Sequence, residues 1–260
     1  MTPATAALWR RLERINAEYK LQRYTGPGNP LGSEILQNDE LIATKIPFAR
    51  TNPEMNAVHG LSTAAGLPRV LEHYGPDRPC WVHVLPDAEV ALTEALCRAG
   101  FRPTAYSTVL YATPVPAPMA HDIDLAEIGA GELDEFLDAM NTGFGTPADM
   151  LATLRRNQSF WPTVGNWRLV LARVGGAPAG SAVLSQHGNV GYLAAASTLP
   201  AFRSRGVHTA LIAARLAIAR RHGCELVTGQ AAAGSQSQCN QQRAGLGIAA
   251  TKTIWTNHNP

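Results

Sequence analysis

The sequence predicts a mixed α/β protein, in which a run of hairpin-connected strands feeds a βαβ crossover and helices cover the faces of the sheet. Three observations predict it. Beyond a proline-rich seam, the apolar pattern alternates between the period of strands and that of helices in the order β-α-α-β-β-β-α-β-α-β. Gly175-Gly176 and Gly188-Asn189 supply the turn residues of tight hairpins, whereas the later strands are separated by enough chain for a helical crossover. A strand–helix–Ala-Gly–strand pattern also occurs twice, over Cys80–Ala112 and Cys224–Trp255, an echo open to duplication and to chance alike.

The elements follow in order. Residues 4–24 read as a helix with Leu8, Leu12, Ile15 and Tyr19 on one face. Ile35–Ile42 reads as a short hairpin around Asn38-Asp39, Pro68–Tyr74 as a helix and Trp81–Leu85 as a strand. Asp87 is placed as the cap of a helix ended by Gly100, and Ser107–Ala112 as the next strand. Then comes Thr113-Pro-Val-Pro-Ala-Pro-Met119. Its alternating prolines fix φ and remove donors, which makes an extended linker and divides the chain into domains 1–118 and 119–260. In the second domain Ile123–Ile128, Trp167–Val174, Ser181–Gln186, Val190–Ser197, Glu225–Gly229 and Thr251–Trp255 read as strands. Glu132–Met140, Pro147–Asn157, Val207–His222 and Gln236–Arg243 read as helices.

Composition excludes several classes of function. With 45% hydrophobic and 16% charged residues the chain can build a core, so it is not a disordered protein. Its 22 Lys+Arg against 20 Asp+Glu leave a net charge of +2, far from the concentrated cations of a nucleic-acid binder. No stretch approaches 18 uninterrupted apolar residues, and the first residues run into Trp9-Arg10-Arg11 without the apolar core of a signal peptide. Cys80, Cys97, Cys224 and Cys239 have neither C-x-x-C spacing nor a nearby histidine pair, so no metal is expected. The expectation is a cytoplasmic protein with reduced thiols. Lysine contributes only Lys20, Lys45 and Lys252, a codon bias that points to a GC-rich bacterial genome.

Chemistry concentrates in Leu199-Pro-Ala-Phe-Arg-Ser-Arg-Gly-Val-His-Thr-Ala-Leu. A strand ends, a loop carries Arg203, Arg205 and Gly206, and an apolar-faced helix starts at once. Unpaired amides at a helix start, the helix dipole and a glycine open to close approach form an anion cradle, and two arginines add charge-assisted donors. A diphosphate suits it. An isolated R-x-R-G is also compatible with two surface arginines and a turn glycine; the strand before, the helix after and the downstream Asn240 favour the cradle.

Over roughly Asp122–Asn257 these residues and this element order resemble the GNAT superfamily of acyl-CoA N-acyltransferases. The family's motif, R/Q-x-x-G-x-G/A after a fourth strand, stands here as Thr198-Leu-Pro-Ala-Phe-Arg-Ser-Arg-Gly-Val-His208. The resemblance implies a GNAT-like acyl-CoA N-acyltransferase fold, tandem if the N-terminal half is a degenerate relative. It also implies transfer of the acetyl group of acetyl-CoA to a primary amine. Arg203, Ser204, Arg205, Gly206, Val207 and His208 would wrap the pyrophosphate. Thr198 and Leu199 would bind the pantetheine arm and polarise the thioester carbonyl, and Asn240 would touch the pantetheine or a water beside the sulfur. A non-catalytic module that binds acyl-CoA or a protein partner is the alternative.

Departures from the family pattern matter for mechanism. His208 stands in place of a small residue, either donating to phosphate when charged or lying on the helix surface. Leu246 replaces a Phe. Asn240 to Gly247 contains no Tyr, so the acid is unassigned: Ser237, Ser235 or Cys239 could substitute, and caps or core positions explain all three as well. For the base, Ala194-Ala-Ala196 offers nothing titratable, which leaves Tyr192 and Glu225, while His187 sits at a turn. Asn52–Leu61 is dense in polar residues, and its Glu54 and His59 either face a cleft or belong to a capped loop. Gly143-Phe-Gly145 and Phe160-Trp161-Pro162 either wall an acceptor pocket or pack the core. A small-molecule amine is expected as acceptor, with no nucleic-acid or membrane partner, from a monomer or homodimer.

Overall fold

The computed structural model describes residues 4–115 and 122–258. The chain divides into two compact units. The C-terminal unit comprises Leu110–Gln230 and Gly234–Ile248; the N-terminal unit comprises Thr2–Val109, Ala231–Ala233 and Ala249–Pro260. The proline seam at 113–119 lies partly outside the described residues.

In the N-terminal unit, α1 (Ala6–Tyr24) starts at Thr5, whose hydroxyl accepts from the Leu8 amide at 3.3 Å. It buries Leu12, Ile15 and Tyr19 as the periodicity requires, and with them Glu13, Asn16 and Lys20. Strands β1 (Glu34–Gln37) and β2 (Ile42–Lys45) form the expected hairpin, with Asn38 Oδ1 accepting from the Glu40 and Leu41 amides at 2.9 and 2.8 Å. Asn52 caps its own turn in the same way, but the chain after it is a strand rather than a loop. This is β3 (Ala57–His59), buried throughout. Next come α2 (Leu67–Tyr74), β4 (Trp81–Val84), α3 (Val90–Arg98) and β5 (Arg102–Ala112). Asp87 does not cap α3: Glu89 holds the cap position without a side-chain bond, and Asp87 instead accepts from Arg10 Nε at 2.7 Å.

The C-terminal unit holds β6 (Asp124–Glu127), α4 (Leu133–Phe144), α5 (Ala148–Gln158), β7 (Trp167–Val174), β8 (Ala177–His187), β9 (Val190–Thr198), α6 (Val207–Arg221), β10 (Leu226–Ala232) and α7 (Gln236–Arg243). Its strands lie in the order β10-β9-β8-β7-β6, antiparallel from β6 to β9 and parallel between β9 and β10. Helix α6 supplies the crossover and buries Val207, Leu211, Ile212 and Leu216 against the sheet. Each segment of the sequence echo does form a strand, a helix and a strand: β4-α3-β5 in one and β10-α7 with the last strand in the other.

That last strand, β11 (Gly247–Thr256), corrects the domain reading. The sequence places residues 119–260 in one domain, yet Ala249 onward belongs with the N-terminal unit. There the strand order is β1-β2-β3-β4-β11-β5, and β11 runs antiparallel to β4 with Trp255 opposite Val82. Its Trp255 joins the core of Val58, Val70, Val82, Leu92, Leu96 and Phe101. Among the described residues no helix is long and apolar enough to cross a membrane.

Candidate functional site: a splayed strand pair and its helix start

Strands β9 and β10 pair in parallel only at Val190–Tyr192 with Leu226–Thr228. Beyond Tyr192 they part, although β9 continues to Thr198. A bulge contributes to the divergence. Ala182 pairs with Ala196 and Val183 with Ala194, so Ala195 has no partner on β8, and its φ is +22°. The fully buried Arg215 of α6 stabilises this kink. Its Nη1 donates to the carbonyls of Ala194 (2.9 Å) and Val183 (3.3 Å), and its Nε to that of Leu211 (2.9 Å). The periodicity of α6 gave no reason to expect an arginine on its buried face. The signal was present only as a charged residue in an apolar position of the helical wheel.

The bulged end of β9 leads into the loop Arg203–Gly206, the candidate anion cradle. Ser204 (φ +61°) and Gly206 (φ +81°) take left-handed conformations, turning successive amides toward a common side as in an anion-binding nest. Gly206 is the cap position of α6 and makes no side-chain cap bond, so the first-turn amides of Val207, His208 and Thr209 have no intrahelical acceptor. Arg203 and Arg205 are exposed on this loop, with the Arg205 guanidinium 5.3 Å from the Phe202 ring centroid. Close backbone packing holds the loop in place: a Cβ on Gly180 would lie 2.5 Å from the Ser197 carbonyl oxygen and 2.9 Å from Val207 Cγ1.

The structure brings His208 and Asn240 together, 3.0 Å apart between Nδ1 and Nδ2. Asn240 Oδ1 accepts from Arg243 Nη1 at 3.1 Å and from Gln236 Nε2 at 2.7 Å; an arginine can only donate, so Asn240 presents its Nδ2 to His208. Nδ1 of His208 is therefore an acceptor. Burial, with Arg215 adding to it, pushes the His208 pKa down to about 4, so the ring is neutral at neutral pH. The reading of His208 as a charged phosphate donor is thus replaced. With Asn240 it forms a strut between α6 and α7.

Thr198 and Leu199 differ. Leu199 spends its amide on the Ala179 carbonyl and its own carbonyl on the Phe202 amide, both at 2.9 Å. Thr198 keeps a buried Oγ1 that has no partner, an orphan polar atom at the mouth of the splay. Ser235 caps α7 by accepting from the Gln238 amide at 3.2 Å, and Ser237, half-buried, accepts from Gln241 Nε2 at 3.4 Å. The four cysteines, Cys239 among them, are free thiols.

Among the candidate bases, Glu225 is exposed at the opposite end of β10, where it accepts from Asn189 Nδ2 at 2.6 Å. His187 lies at the end of β8, with Nε2 3.0 Å from Ser185 Oγ. Tyr192 is buried at the last paired register before the splay. Trp161 is a core residue, packed edge-on against Phe136 and Trp167, whereas Phe144 is exposed. His59 and Glu54 belong to the N-terminal unit, the first buried against Glu13 and the second paired with Lys20 at 2.8 Å.

Residues 136–237 match the Acetyltransferase (GNAT) family. No curated protein is a match to the chain. Several solved structures share its fold along nearly its whole length. A GCN5-related N-acetyltransferase from Kribbella flavida is 16% identical with a TM-score of 0.63, over 95% of this chain and 96% of that one. Another from Sphaerobacter thermophilus is 14% identical with a TM-score of 0.62, over 98% and 91%. A tandem GNAT protein from the clavulanic acid biosynthesis pathway is 12% identical with a TM-score of 0.59, over 99% and 98%. At these identities the likeness establishes the fold, a mixed α/β tandem GNAT fold across both units. Together with the family match over residues 136–237, it leads to one conclusion: the C-terminal half of this chain carries the GNAT fold and is similar in sequence to the GNAT acetyltransferase family.

Proposed function

We propose that the C-terminal unit is an N-acetyltransferase that takes its acetyl group from acetyl-CoA and passes it to a primary amine of a small molecule. The observation that supports this reading most is the sequence of features in one stretch of chain: a bulged strand that parts from its neighbour, a left-handed nest, and an uncapped helix start flanked by two arginines. Acetyl-CoA would supply an activated thioester. Amides from Ser204 to His208 would bind its diphosphate, with Arg203 and Arg205 contributing charge at the rim. Thr198 Oγ1, buried and unpartnered, fits a hydrogen bond to the pantetheine arm. The contact first assigned to Leu199 falls to Thr198, because the Leu199 backbone is engaged.

In the transfer, the lone pair of the neutral amine forms a bond to the carbonyl carbon, the C–S bond breaks, the amine gives up a proton and the thiolate takes one. The chain's part is to hold the two reactants in line at the parted edge of β9 and to donate from backbone to the carbonyl oxygen as it gains charge. Ser237 remains the candidate donor toward the sulfur and Tyr192 the candidate acceptor of the amine proton. Asn240 acts through His208 as a positioning residue.

Arg205→Glu places an anion at the diphosphate site. Calorimetry is expected to find at least a tenfold loss of acetyl-CoA affinity, about 1.4 kcal/mol, with an unchanged melting temperature; unchanged affinity would sink the proposal. One observation favours a second reading, a non-catalytic acyl-CoA-binding module: Ala194–Ala196 lack any titratable side chain, and Ser235 is committed as a cap. Coenzyme binding without thiol release across a broad amine panel would select it.

A further inference from the structure

The N-terminal unit contains a parallel strand pair of its own. β3 and β4 run parallel and pair at Ala57–Val58 with Trp81–Val82, and at the next position on each strand stand His59 and His83. Their rings lie 4.2 Å apart between centroids, and both side chains are almost wholly buried, at 1% and 5% exposure. Behind them Lys252 Nζ holds both oxygens of Glu13, at 2.7 and 2.8 Å, and Glu13 Oε1 lies 2.6 Å from His59 Nδ1. In front is a cavity of about 340 Å³, within the range of small-molecule sites, whose wall includes His59, His83 and Asp87 together with Arg10, Arg11 and Arg14.

The protons on this wall can be placed. A carboxylate held by Lys252 only accepts, so His59 carries its proton on Nδ1 and its Nε2 is a lone pair. That Nε2 is buried with no partner, as are His83 Nδ1 and Asp87 Oδ1. Of the arginines on this wall, Arg10 gives its Nε to Asp87 Oδ2 at 2.7 Å, and Arg14 donates to Glu18 at 2.8 Å and to the Asn38 carbonyl at 3.0 Å; among the described residues no donor reaches His59 Nε2 or Asp87 Oδ1. The cavity therefore has acceptors to spare, and a ligand that supplies donors completes it. A divalent metal fits less well, although Glu13, His59 and His83 bring three ligand atoms within 4.8 Å of one another. Lys252 occupies both oxygens of Glu13 and Glu13 occupies His59 Nδ1, so a metal would find only the remaining nitrogens of two imidazoles, fewer than the three or four protein ligands of a zinc site.

We propose that this cavity is a second small-molecule site of the protein, which takes a compact amine carrying two separated donor groups, one on His59 Nε2 and the other on Asp87 Oδ1. Glu13 and Lys252 are positioning residues that hold the His59 ring with its lone pair toward the ligand. The proposal concerns the N-terminal unit alone and stands or falls independently of acetyl transfer.

The test uses the full-length chain with ¹⁵N-labelled histidine and putrescine as the probe. The expected result is a saturable shift of the His59 Nε2 resonance, with half-saturation at about 1 mM. Asp87→Asn should weaken this shift at least tenfold, and His59→Gln should weaken binding read at the His83 resonances at least tenfold, while near-ultraviolet circular dichroism stays native in both. No shift at His59 with putrescine, or binding unchanged in folded Asp87→Asn, would overturn the proposal. Zn²⁺ moving both histidines where putrescine moves neither would overturn it in favour of a metal centre.

Discussion

Gly206 and Gly180 fail for different reasons when replaced. At Gly206 an added Cβ meets only Ile123 Cδ1 at 3.9 Å, so alanine is opposed by its φ of +81° and not by crowding. Gly206→Ala is expected to cost about 1 kcal/mol in denaturant titrations and to weaken acetyl-CoA binding more than that cost explains, because the nest amides shift. At Gly180 the added carbon strikes backbone, and the loss is steric. The histidines set a pH dependence. Burial lowers the pKa of His59 and of His208 to about 4, and that of His83 well below its usual value. A group whose pKa is depressed by folding binds protons more readily when unfolded, so its stability contribution is complete above the unfolded value of about 6.5 and is lost as pH falls toward 4. Urea unfolding at pH 7.5 and 5 should give a lower stability at the acid pH, and His208→Gln should reduce the difference.

At the scale of elements, the bulge in β9 and helix α6 act as a pair. A bulge leaves strand carbonyls without ladder partners, and Arg215 supplies donors to those of Val183 and Ala194. Arg215→Met removes the donors while keeping much of the side-chain volume, and is expected to cost about 2–4 kcal/mol by denaturant unfolding. If the bulge also aims β9 at the thioester, folded Arg215→Met should raise KM for acetyl-CoA, and Arg215→Lys should recover part of it. A purely structural arginine would leave KM unchanged in the folded fraction.

At the scale of the whole molecule, the C-terminal segment completes the N-terminal unit's sheet. β11 lies between β4 and β5, places Trp255 in that unit's core and sets Lys252 on Glu13. Burial would raise the Glu13 pKa, but Lys252 and His59 outweigh it and hold the carboxyl well below the ordinary range. Deleting Ala249–Pro260 would leave two interior strand edges open and Glu13 buried without its cation, a penalty of several kcal/mol. Hydrogen exchange should then show β4 and β5 losing protection while β7, β8 and β9 keep theirs. Retained protection in β4 would contradict the assignment of β11 to that sheet.

Local signals were enough for much of this. Leu12, Ile15 and Tyr19 marked α1, Gly175-Gly176 and Gly188-Asn189 marked the hairpins, and Arg203–Gly206 marked the loop before the start of α6, because spacing and turn chemistry are properties of neighbouring residues. Long-range partners decided the rest. β3 is only three residues long and follows a capped turn, so its own pattern could not announce it; its pairing with β2 and β4 did. The placement of β11, the burial of Arg215, the neutral strut of His208 with Asn240, and the alignment of His59 by Glu13 and Lys252 each join residues from 20 or more positions apart. A single strand's alternation says which face it buries, not which neighbour it joins. A buried charge is acceptable only where its partner waits, and only the tertiary structure supplies that partner.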